Sequence, residues 1–140
     1  MTATRAAGDA LYAELVDRFG TAFPTLAGRV HRHRPPDDGI AAPCVFIDVA
    51  RHRPTGDYEL AVIFPVVVVV DGDDMAQRAD LEDRVDVVIT AGATVGEVGD
   101  STPDTIPVGG PRLRSVTVAV SIPIGAASWC APEHIGATAP

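Results

Sequence analysis

The densest apolar run in the chain lies at residues 58–70, where Tyr-Glu-Leu-Ala-Val-Ile-Phe-Pro-Val-Val-Val-Val-Val stops at an Asp71-Gly72 turn. Its β-branched residues lose less on a pleated surface than in a helix, so the run predicts a long strand. Continuous rather than alternating apolar character predicts cover on both faces. Pro65 has no N–H to give a ladder, so a bulge or bend is expected there, with pairing partners that differ on its two sides. A second strand is expected at 44–50, opened by Pro43. A turn centred near Pro54 and Thr55 would fold the two into a hairpin, with Val49 opposite Leu60, Ile47 opposite Val62 and Val45 opposite Phe64. Those six make one strongly apolar face. The other face, with Cys44, Phe46, Asp48, Glu59, Ala61 and Ile63, is mixed and suits half exposure or a subunit contact.

Helical spacing flanks these strands. Leu11, Leu15 and Phe19 recur four apart over 9–19, with Gly20 as terminator and Phe23-Pro24 carrying the chain away. Leu81, Val85, Val88 and Ile89 repeat the pattern over 74–91, capped by Asp73 or its neighbour and stopped by Gly92. A weak strand is expected at 26–34. Residues 93–111, broken by Gly and Pro at close intervals, read as a long loop, and a loop of that length in a compact domain is normally functional or disordered. The cleanest alternation comes last: Val116, Val118, Val120, Ile122 and Ile124 share one side of a strand at 114–124. The expected fold is an α/β (α+β) two-layer sandwich over residues 1–125. Its mostly antiparallel four-stranded sheet carries two helices on one face, in the order α-β-β-β-α-β. A small-residue, Pro-containing C-terminal arm follows at 126–140, with Trp129 as its one large anchor.

Length and charge narrow the function. A chain of 140 residues is large enough for one real core without metal or disulfide support. The net charge is −8 and all 11 basic residues are arginine, which argues against a cationic nucleic-acid groove. Cys44 and Cys130 have no ligand or disulfide spacing. No leader segment or membrane-length apolar run is apparent, so a cytoplasmic origin is expected. His31, His33 and His52 lie among arginines that would repel a cation, and no carboxylate or cysteine completes a metal shell. Asp71, Asp73 and Asp74 suit a turn and cap better than a calcium loop. The glycines at 92, 96 and 99 follow a helix instead of linking a strand to one, so a phosphate cradle is not indicated, and no Gly-x-Ser-x-Gly elbow or Cys/His nucleophile pair occurs. No catalytic, cofactor or metal residues are therefore assigned, and no enzyme is expected. Arg29, Arg32, Arg34, Arg51 and Arg53 cluster in one short region. They read either as a solvated strand end or as a patch meeting an acidic surface of a neighbouring copy. Ile106, Val108 and Leu113 would give the long loop apolar anchors for a neighbour to bury.

Leu11-Tyr12-Ala13-Glu14-Leu15, Gly28-Arg29-Val30 before a Pro/Asp/Gly turn, and Ala42-Pro43-Cys44-Val45-Phe46-Ile47 carry a resemblance. With the apolar strand, the second helix and the alternating strand that follow, the chain resembles the tail-terminator and related neck proteins of long-tailed bacteriophages as far as about Ile124. The arm and the absence of lysine fall outside the resemblance. It implies a homo-oligomeric ring, usually of six copies, that caps the tail tube, joins it to a neck or head-completion protein, and uses no cofactor or membrane. Such a protein would be made in the host cytoplasm and end in the virion. An acidic ring would let DNA pass without specific binding, since carboxylates oppose phosphate contacts. Another head–tail connector, or a monomeric small-molecule or peptide-binding module, are the competing expectations.

Overall fold

The computed structural model describes residues 2–36, 39–56, 59–72, 75–107 and 112–125. The elements run α1 (Ala3–Ala22), β1 (Val30–His31), β2 (Cys44–Ile47), β3 (Arg51–Gly56), β4 (Glu59–Val69), α2 (Met75–Val95), β5 (Glu97–Pro107) and β6 (Arg112–Gly125), with one 3-10 turn at Pro24–Leu26. It is an α+β fold: a mixed six-stranded sheet with both helices on one face. The strand order is β1-β2-β4-β6-β5, with β3 also paired to β4, and only β1–β2 is parallel. The sheet thus has six strands where four were expected. The arm at 126–140, and the cap assigned to Asp73 or Asp74, lie outside the described residues.

β4 is central, as its apolar run requires. β6 occupies one edge of β4 from Glu59↔Gly125 to Val69↔Ser115, while the other edge is shared, β3 pairing up to Ile63 and β2 pairing from Val66. Partners therefore do differ on the two sides of Pro65. The bulge expected in β4 is in its partner instead. Ile47 pairs with Val66 and Arg51 with Ile63, so three residues, Asp48, Val49 and Ala50, stand opposite two, Phe64 and Pro65. The Asp48 N–H donates to the Pro65 carbonyl at 2.8 Å. In an antiparallel strand a residue's N and O point to the same edge, so the missing N–H of Pro65 also falls at this break and leaves the β6 ladder intact.

The hairpin closes later than expected. Val45 lies opposite Val68 and Ile47 opposite Val66, four residues beyond the expected register. An even shift keeps each side chain on its face, so Val45, Ile47, Val62 and Phe64 do line the helix-covered core. Val49 does not: it sits in the bulge at 81% exposure.

Both helices exceed their expected bounds. The Thr2 hydroxyl caps α1 by accepting from the Arg5 N–H at 3.1 Å, and alanines carry the helix forward into Leu11, Leu15 and Phe19, all fully buried. Gly20 lies inside α1. Gly92 lies inside α2, where a Cβ would come within 2.8 Å of Val120 and 3.0 Å of Val98, so this glycine lets helix and sheet approach. The chain leaves α2 at Gly96, a turn glycine packed against the Ser121 carbonyl. Of the residues expected as a loop, 97–107 form β5, an edge strand paired along β6. The weak first strand shrinks to Val30–His31.

Candidate functional site: the helix-free sheet face

The face of the sheet away from the helices has two parts. In the first, Cys44, Phe46, Val67, Val69 and Ile106 form a second buried cluster, closed by Ile40 with Ala42 and Leu113 packed against it. Burial pushes the Cys44 thiol up to about 11, against a smaller lowering by Arg29, so it is an inert neutral thiol. Ile106 and Leu113 are cross-strand partners whose apolar surface is used inside the chain. They were expected to anchor a neighbour; Ile106 is buried in this cluster, and Leu113 is partly covered by it. Val108 lies outside the described residues.

The second part is an open groove of about 440 Å³. Its floor is the cross-strand pair Pro65–Ala119 with Ile63, Thr117 and Ser121; Arg51 and Arg53 stand on one side, and Gly99, Asp100 and Thr102 on the other. Two bulges frame it. The extra residue before β3 reverses the phase of that strand, so that Arg51 and Arg53, opposite Ile63 and Ala61, reach the helix-free face while His52 turns to the helices and meets the Thr4 hydroxyl at 3.0 Å. In β5 the register shifts between Val98 and Ser101, and Gly99 and Asp100 fill the shift.

The five clustered arginines are not one patch. Arg29 donates to the carbonyls of Ala42 and Pro43, tying down the segment that carries Ile40. Arg32 pairs with Asp9 of α1 at 3.0 Å and lies 5.9 Å over the Phe64 ring; Gly8 leaves room for its guanidinium. Arg34 lies 5.4 Å over Phe46 and pairs with Asp48 at 3.3 Å. These three make contacts within the fold, beyond the role expected for them as contact residues. Arg51 and Arg53 remain exposed and in the groove.

The acidic side of the groove, Asp100 with Glu97 and Asp104 further along the same strand, was missed because it fell in the stretch read as a loop. The groove brings together guanidinium, carboxylate and hydroxyl groups suited to recognising a charged, extended surface. It pairs no nucleophile with a base among the described residues. No helix among them is long and apolar enough to cross a membrane. Comparison with protein-family models and with curated proteins gives no match.

Proposed function

We propose that this protein is a structural component of a long-tailed phage virion, a tail terminator whose copies form a ring that caps the tail tube and joins it to the neck. One observation carries this reading: the helix-free sheet face has a basic edge and an acidic edge that, among the described residues, form no ion pair with each other. Opposite charges at opposite ends of one face favour contact between identical subunits, and a head-to-tail contact closes into a ring when the rotation permits. The resemblance of the element texture to the terminator and neck proteins supplies the biological setting, with six copies as the expected ring. The role is mechanical and needs no cofactor. The acidic surface, at net charge −8, lets DNA pass without phosphate contacts.

The groove itself favours one other reading, a monomeric module that binds an extended peptide along the floor between Arg51 and Asp100. Light scattering of the purified protein, followed by negative-stain imaging with and without tail tubes, separates the two. Rings that seat on tube ends are expected. A monomer at every concentration, with no density on tubes, would sink the terminator reading and leave the peptide module standing.

A further inference from the structure

Charge on the helix-free face is segregated by strand. β3 presents Arg51 and Arg53 to it and β5 presents Glu97, Asp100 and Asp104; of the strands between, β6 adds no charge there and β4 adds only Glu59, at its end beside Gly56. Three strand spacings, about 14 Å, separate the rows. The ion pairs among the described residues lie elsewhere, at Arg18–Glu14, Arg32–Asp9, Arg34–Asp48 and Arg84–Asp80. Among the described residues each row is thus a set of like charges joined by no ion pair, on strands whose outer edges no described strand covers.

The backbone limits how a partner can meet β5. Pro103 and Pro107 have no N–H, and the Thr105 N–H between them is taken by the Asp104 carboxylate at 2.7 Å. Alternate positions along this half of the edge offer no donor, so extending the sheet by a hydrogen-bonded strand is blocked there. Contact must run through side chains.

We propose that the occupant of this face is a second copy of the chain, docked head to tail, with Arg51 and Arg53 of one copy meeting Glu97 and Asp100 of the next. Docked head to tail, each copy still carries one unused row, so association continues beyond two, whereas a two-fold face-to-face pair would use both rows at once and stop there. The inference deepens the ring reading by naming the surfaces that meet, but it concerns self-association alone and can stand if tail-tube docking fails. Because the contact joins opposite charges on exposed side chains, it weakens as salt rises.

The test is molar mass by sedimentation, on the full chain, for three proteins and one mixture. The parent should associate at low salt. The pair Arg51→Glu with Arg53→Glu should stay monomeric, as should Glu97→Arg with Asp100→Arg; Asp104 is left in place because it caps Thr105. Mixed in equal amounts, the two variants present opposite rows to each other and should recover the parent mass as alternating copies. A monomeric parent, a variant that assembles alone like the parent, or a mixture that stays monomeric overturns the proposal. A mass that saturates at two copies overturns its head-to-tail form. Should a charge reversal prevent folding by circular dichroism, Arg51→Gln with Arg53→Gln decides, with half-association expected at about tenfold higher concentration and no change counting against the contact.

Discussion

The two faces of β4 are almost equally buried, yet they are covered by different means. Val62, Phe64, Val66 and Val68 lie under α1 and α2. Val67 and Val69 on the opposite face lie under Ile40 and beside Phe46, and Ile63 and Ala61 stand opposite Arg51 and Arg53, whose aliphatic stems suit apolar neighbours. An unbroken apolar strand thus reports burial on both sides without saying what does the burying. Helices cover one face completely, while a loop segment and arginine stems cover the other in patches and leave a groove.

If both covers are real cores, the largest effects should appear on both faces. Phe64→Ala and Phe46→Ala, at 2% and 0% exposure, should each cost about 3–5 kcal/mol in urea unfolding. A cost below about 1 kcal/mol for Phe46→Ala would mean that the helix-free face is a wetted surface, and the comparison would fail.

The loop cover should be cheaper to remove than a helix. Ile40→Ala should cost about 2 kcal/mol, at the low end for such truncations because the surrounding segment can collapse. It should also open Cys44 to thiol reagents. The same cover sets a pH dependence. The folded state holds the Cys44 thiol neutral up to about 11, mainly by desolvation, while the unfolded chain ionises near the usual value of 9.0. Its contribution to stability is whole below pH 9 and is lost as pH rises from about 9 to about 11. Comparing the parent with Cys44→Ala should show a shallower alkaline decline in the variant; identical slopes would mean that this site is open to water.

The helix-covered face was legible because its signals are local. Leu11, Leu15 and Phe19, Leu81 and Val88, and the alternation from Val116 to Ile124 each carry their own period. The register of the hairpin was not legible, because Pro54 and Thr55 look like a turn but continue as strand, and Val49 looks like core but occupies a bulge. β5 was hidden for a different reason. An edge strand exposed on both faces needs few apolar residues, and its backbone pairing with β6 does the work that a pattern would otherwise reveal. Its length was the missed warning, since a compact domain rarely holds so long a structureless loop. Gly92 misled as well, being needed for close packing with Val120 and Val98 rather than for ending a helix. Of the residues lining the groove, only Arg51 and Arg53 stood out in the sequence, and their face depends on a bulge that the spacing of apolar residues does not encode.

The smallest effects sharpen the contrast between arginines that build the fold and arginines that face outward. Arg32 pairs with Asp9 and stacks over Phe64 with its side chain at 20% exposure. An exposed ion pair and a cation–π contact are each worth up to about 1 kcal/mol, so Arg32→Ala should cost about 1 kcal/mol. Arg51 and Arg53 sit on the exposed β3 and join none of the ion pairs among the described residues. Replacing both by Gln keeps most of each stem opposite Ile63 and Ala61 and removes the charge, so the unfolding free energy of the monomer should stay within about 0.5 kcal/mol of the parent. Measured at high salt, where self-association is screened, the two experiments should separate cleanly. A loss of 1 kcal/mol or more from the Gln pair would show that these guanidinium groups serve the monomer after all, and that the charge on β3 needs no second copy to explain it.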